Sequence, residues 1–107
     1  MTSPPSYRLR WSAQAERNAD DVAGEIAKRD PGAAGKWIDG LVEHVENAAT
    51  IPLAGRVVPE LNRQDVRETV FGRYRVVYRV DGDQVVVVTV FAGERQGLPS
   101  DADPDAG

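Results

Sequence analysis

The chain has no cysteine, a single histidine and no apolar run near membrane-spanning length. Without cysteine it can build neither a disulfide framework nor a thiolate metal site. Without a long apolar segment no spanning helix is expected. The opening MTSPPS has neither a basic n-region nor an apolar h-region, so no secretory signal is read there and a cytoplasmic location is expected. Ser-His-Asp and Cys-His constellations cannot be placed, and Gly32, Gly35 and Gly40 are too scattered for a phosphate loop. Asp20-Asp21 and Asp81-x-Asp83 are accounted for by a helix surface and a hairpin turn, so neither a metal nor a cofactor is expected. These absences argue against a conventional small-molecule enzyme.

What is present fits one soluble globular domain: 107 residues, 41% hydrophobic and 28% charged. The net charge of −4 disfavours a broadly basic nucleic-acid binder. Most of that excess comes from Asp101, Asp103 and Asp105 in PSDADPDAG, which no cation balances. Residues 56 to 95 carry seven arginines against six acids and no lysine. Arginine suits bidentate recognition of carboxylate or phosphate. The expected organisation is a flexible 1–6, a folded domain over 7–98 and an acidic, disordered 99–107.

YRLRW (7–11) alternates like a strand with one buried face. Ser12 then offers an N-cap, and Ala15, Ala19, Val22 and Ile26 recur at helical spacing up to Lys28-Arg29. Asp30-Pro31 starts a second helix, with Trp37 or Ile38, Leu41, Val45 and Ala48 as its stripe, ending before Pro52. The lone His44 reads as a solvated helix residue. PLAGRVVPELNRQ (52–64) is a punctuated connection with a short extended piece at 56–58. VRETVF, RYRVVYRV and QVVVVTVF then read as strands, the last two joined at Asp81-Gly82-Asp83. The predicted order is β-α-α-β-β-β, an α+β domain whose helical hairpin covers one face of a small, largely antiparallel sheet.

A two-residue turn at that hairpin pairs even positions before it with odd positions after it. Tyr74, Val76, Tyr78 and Val80 are therefore expected beside Val85, Val87, Thr89 and Phe91, facing the helices. Arg73, Arg75, Val77 and Arg79 fall beside Gln84, Val86, Val88 and Val90 on the opposite face. Arginines mixed with valines make that face too apolar to be only a wet surface.

Over residues 7 to 98 the chain resembles the ParE/RelE superfamily, the toxin halves of bacterial toxin–antitoxin modules. The stretches that carry the resemblance are IPLAGRVVPEL, VRETVFGRYRVVYRVDGD and VTVFAGER. GR followed by PEL, then R-x-x-x-x-G-R-Y-R-V-V-Y, is more like the ParE or plasmid-stabilisation branch than the RelE branch. RelE-like members are ribosome-dependent endoribonucleases with arginines, lysines and often a C-terminal tyrosine or histidine on an open sheet face. Arg75 matches one family arginine, and Arg95 matches the arginine after the last strand. The lysines of the preceding strand are absent, and no tyrosine or histidine follows Arg95. Arginine stays protonated and holds phosphate charge, but it cannot take or give the proton that RNA cleavage requires.

For the ParE branch the resemblance implies a growth-inhibiting toxin that binds DNA gyrase. It also implies a cognate antitoxin in a heteromeric complex, a dimer of heterodimers. The surface expected to be covered consists of Arg73, Arg75, Arg79 and Arg95 with Val77, Val86 and Val88. Two alternatives stay open: a RelE-like nuclease acting on ribosome-bound mRNA through Arg75 and Arg95, and a degenerate, non-toxic binding module.

Overall fold

Residues 7–94 and 97–107 are described by the computed structural model. The chain runs through β1 (Arg8–Trp11), α1 (Ala13–Ala27), α2 (Pro31–Thr50), a 3-10 turn (Pro52–Ala54), β2 (Arg56–Val57), β3 (Val66–Phe71), β4 (Tyr74–Asp81) and β5 (Gln84–Ala92). The five strands form one mixed sheet in the order β1-β5-β4-β3-β2. β1 pairs parallel to β5, and the other pairs are antiparallel. This is the expected α+β arrangement, with the short extended piece in the connection supplying β2. Neither helix is long and apolar enough to cross a membrane.

Local chemistry sets the helix starts. Asp30 caps α2 by accepting the Gly32 and Ala33 N–H groups at 3.1 and 3.2 Å, and Pro31, which has no N–H to satisfy, takes the first turn. Ser12 caps α1 by accepting the Ala15 N–H at 3.1 Å, and its hydroxyl also donates to the Val88 carbonyl at 3.1 Å. One side chain thus orients the helix and fastens it to β5. The α1–α2 hairpin buries Ala15, Ala19, Leu41 and Val45 against Val76, Val87 and Val90, with Trp11, Trp37, Ile38, Phe71 and Tyr74 packed around them. Ala49, rather than the expected Ala48, continues the buried stripe of α2. His44 is half-buried rather than solvated. Its Nε2 lies 2.8 Å from the Thr69 hydroxyl and its ring 5.4 Å from that of Phe71.

Both hairpin turns have two residues and begin with glycine at positive φ, Gly72 at 59° and Gly82 at 58°. Between β4 and β5 the expected register holds from Asp81↔Gln84 to Tyr78↔Val87, then shifts by one residue, so that Val77 faces Thr89. The extra residue is Val88, in a β-bulge. Its polar groups are met from α1: Ser12 takes the Val88 carbonyl, while Asn18 Oδ1 accepts the Val90 N–H at 3.1 Å and the Thr89 hydroxyl at 3.0 Å. Beyond the bulge the parity of β5 reverses. Val90, expected on the far face, joins the helix-side core, and Phe91, expected on the helix side, turns to the far face.

Candidate binding site

The sheet face away from the helices has a second core of its own. Val66, Val77, Val86, Val88 and Phe91 are buried there beneath Val58, Leu61 and Leu98. Val77, Val86 and Val88, expected to lie open for a partner, are 1%, 0% and 1% exposed. The reason is the connection after β2, which folds back over the sheet. Arg67 ties down the chain on both sides of β2: before it, its Nη1 donates to the Leu53 and Gly55 carbonyls at 2.7 and 3.0 Å. Its Nε and Nη2 grip Gln64 at 2.9 and 3.1 Å. Arg67 thus braces this loop.

Arg75 sits at the centre of the arrangement. Its Nη2 and Nε donate to Glu68 Oε2 and Oε1 at 2.6 and 2.9 Å. Its Nη1 and Nη2 donate to Glu60 Oε2 and Oε1 at 2.8 and 2.9 Å. The guanidinium lies 5.0 Å above the Phe91 ring, which reaches this face only because of the bulge. The Arg75 side chain is 13% exposed and that of Glu68 3%. Arg75 is therefore clamped between two carboxylates and an aromatic face, where a cation open to a protein partner, or to phosphate in the nuclease alternative, was expected. The pairing raises the Arg75 pKa further. The Arg75 hydrogen bonds hold Glu60 at about 2, against an ordinary value of 4.5.

That depression has a measurable sign. Glu60 is ionised in the folded protein at pH values where it would be half protonated in the unfolded chain, so its contribution is complete above about pH 4.5 and is lost as pH falls toward 2. With allowance for solvent screening of a partly open pair, the loss should be about 1 kcal/mol. Urea unfolding at pH 6, 4 and 3 should show native stability falling more steeply than that of Glu60→Gln. Parallel curves would contradict the assignment.

The remaining expected residues are dispersed. Arg73 is not on the strand: it occupies the Gly72-Arg73 turn, exposed, paired with Glu94 and 5.8 Å over the Tyr74 ring. Arg79 remains on the face and donates to the Pro104 and Ala106 carbonyls at 2.6 and 2.8 Å, contacts that do not neutralise its charge. Arg95 lies outside the described residues. Sequence reasoning missed Glu60 and Glu68 as partners of Arg75. Tyr74 faces the helix-side core, and Tyr78 is 1% exposed, its hydroxyl donating to the Pro52 carbonyl at 2.6 Å while burial raises its pKa. Neither tyrosine can serve the opposite face. Among the described residues, no three His, Asp or Glu side chains are grouped to hold a metal ion. Among the described residues, the face offers hydrogen bonding and charge, with its central arginine and carboxylates paired to one another.

A family model described as the ParE toxin of type II toxin–antitoxin system, parDE, matches residues 9–97. The chain belongs to this ParE toxin family. "Putative toxin Y4kP" of Sinorhizobium fredii is 31% identical over 91 residues, covering 83% of this chain and 91% of the relative. Among solved structures, the chromosomal ParDE toxin–antitoxin system from P. aeruginosa superposes with a TM-score of 0.71 at 20% identity, over 82% of this chain and 97% of that one. The toxin–antitoxin complex RelBE2 from Mycobacterium tuberculosis gives a TM-score of 0.52 at 21% identity, over 81% and 98%. At such identities the structural likeness establishes the fold alone. In this ParE-family chain the family match ends at residue 97, so the whole of the acidic tail, residues 99–107, lies beyond it.

Proposed function

We propose that this chain is a toxin that stops growth by binding its target rather than by cutting it, that the target is DNA gyrase, and that a cognate antitoxin neutralises it in a heteromeric complex. The observation that carries the non-catalytic reading is the closure of Arg75 on Glu60 and Glu68. A cation already matched by two carboxylates gains little from a phosphate, and the adjoining acids repel one. Glu60, held ionised down to about pH 2, is a poor proton acceptor near neutrality. Family membership supports the toxin role. Among the described residues, the rim guanidinia of Arg10, Arg56 and Arg79 around a filled face are paired with no carboxylate side chain, whereas Arg8 is paired with Asp83, so these three are the charges a partner would meet.

The test is induced expression with and without the antitoxin encoded beside it, followed by two separate assays of the purified chain. Gyrase supercoiling should be inhibited, while mRNA on translating ribosomes should remain intact. Cleavage at ribosomal positions would overturn the reading in favour of a nuclease. Unimpaired growth on induction would leave only a binding module.

A further inference from the structure

The acidic tail, expected to be disordered, is described and lies on the arginine-bearing face. Leu98 packs into the second core. Two i→i+3 turns follow, closed by Ala102 N–H to the Pro99 carbonyl at 3.0 Å and Ala106 N–H to the Asp103 carbonyl at 3.1 Å. Asp103 Oδ1 accepts the Asp105 N–H at 2.9 Å, steadying the second turn. Beyond Pro99 burial alternates: Ala102, Pro104 and Ala106 are half-buried, and Asp101, Asp103 and Asp105 are exposed. The small residues face the protein, and of the exposed carboxylates Asp105 meets the Arg63 guanidinium and Asp101 the Gln14 amide.

The contacts come from four elements. Arg79 of β4 donates to the Pro104 and Ala106 carbonyls at 2.6 and 2.8 Å. Arg63, in the connection before β3, bridges Asp65 at 2.8 Å and Asp105 at 3.0 Å. Gln14 of α1 donates to Asp101 at 3.3 Å, and Arg10 of β1 to the Gly107 carbonyl. None of these involves the Arg75 clamp. They are exposed or half-exposed polar contacts, individually weak and sensitive to salt.

We propose that residues 99–107 form a displaceable strap, a resident occupant of the site at which this sheet face receives an extended acidic segment of a partner protein. The chemistry asked of such a partner is the chemistry the tail displays: carboxylates alternating with small or apolar residues and backbone carbonyls turned toward Arg79. A partner segment of this kind competes with the tail for Arg10, Arg63 and Arg79, so its apparent affinity is lowered by the fraction of molecules whose strap is closed. The competition does not depend on what the chain inhibits, and its test contains neither gyrase nor ribosome.

The experiment uses a fluorescent synthetic peptide of residues 98–107 and a chain ending after Leu98, which keeps the Leu98 packing. The peptide should bind the shortened chain about tenfold more tightly than the full chain, because a short tether holds its segment at a millimolar local concentration. Binding should shift the amide resonances of Val77 and Val86, weaken in Arg79→Gln, and be unchanged in Lys36→Gln, an exposed position of α2 away from this face. If the shortened chain fails to fold, the full chain carrying Asp101→Lys and Asp105→Lys places like charge beside Arg63 and should admit the peptide in the same way. Equal binding to intact and released forms, no binding at millimolar peptide, or shifts confined to α1 and α2 would overturn the proposal.

Discussion

Arg75→Ala is expected to lower stability by about 3–5 kcal/mol, because it leaves the buried Glu68 carboxylate without a counter-charge. A domain of this size has about 5–15 kcal/mol in all, so this single truncation approaches the limit of folding. Urea denaturation should show the midpoint falling with little change in slope. A loss below about 1 kcal/mol would mean that the clamp is open to solvent. Arg75→Lys should fall between the two, since an ammonium cannot reproduce the forked bonds to two carboxylates. Replacing the triad together, with Arg75→Met, Glu68→Met and Glu60→Gln, should recover most of the loss, since apolar groups of similar volume avoid the desolvation of buried charge. That recovery would separate the structural service of Arg75 from any recognition role.

A second large effect is expected at Gly55. A Cβ there would sit 2.0 Å from the Tyr78 hydroxyl oxygen and 3.1 Å from the Glu68 carbonyl. The Gly55 backbone, at φ −67° and ψ 158°, is open to any residue, so the requirement for glycine is one of space. In Gly55→Ala the Tyr78 ring must move, and its 2.6 Å hydrogen bond to the Pro52 carbonyl breaks. Overpacking and the lost bond together should destabilise the protein by about 2–4 kcal/mol. Tyr78→Phe removes the atom in conflict, so Gly55→Ala introduced into that background should cost much less. The coupling should be about 0.5–3 kcal/mol. Additive effects of the two substitutions would show that Tyr78 is not what Gly55 accommodates.

These two sites mark what could be read from the sequence. The helical hairpin and strands were legible because capping residues, glycine turns and hydrophobic periods agree with one another. Even Glu68 as a partner of Arg75 was within reach. A two-residue turn at Gly72-Arg73 sets Val70 opposite Arg75, which places Glu68 diagonally across on the same face. The bulge was not legible. In QVVVVTVF every candidate register puts a valine on each face, so alternation cannot reveal the extra residue. Its position is fixed from a distance by Ser12 and Asn18. Missing it exchanged Val90 with Phe91, and with Phe91 went the aromatic platform beneath Arg75. The burial of Val77, Val86 and Val88 was hidden for a related reason. It depends on the return of Val58, Leu61 and Leu98 across the sheet, and none of these has a local signature of doing so. The contacts of the tail could not be read from its own acidic, proline-containing sequence, because they are made with side chains, mainly guanidinium groups, supplied by other elements.

The parallel pairing of β1 with β5 also has a consequence in time. Ser12 and its carbonyl partner on β5 are 76 residues apart. A ribosome adds about 5–20 residues each second, so the first strand to be made waits about 4–15 s for the strand it joins. During that interval Leu9 and Trp11 have no neighbouring strand, and the helical hairpin, which can form early from local contacts, has no sheet to cover its apolar stripe. Since β5 lies between β1 and β4, a chain released before residue 84 cannot join its first strand to the rest of its sheet, and the face that bears Arg75 and Arg79 still lacks Val86, Val88 and the Phe91 ring. Recognition of that face by any partner therefore begins only with a finished molecule.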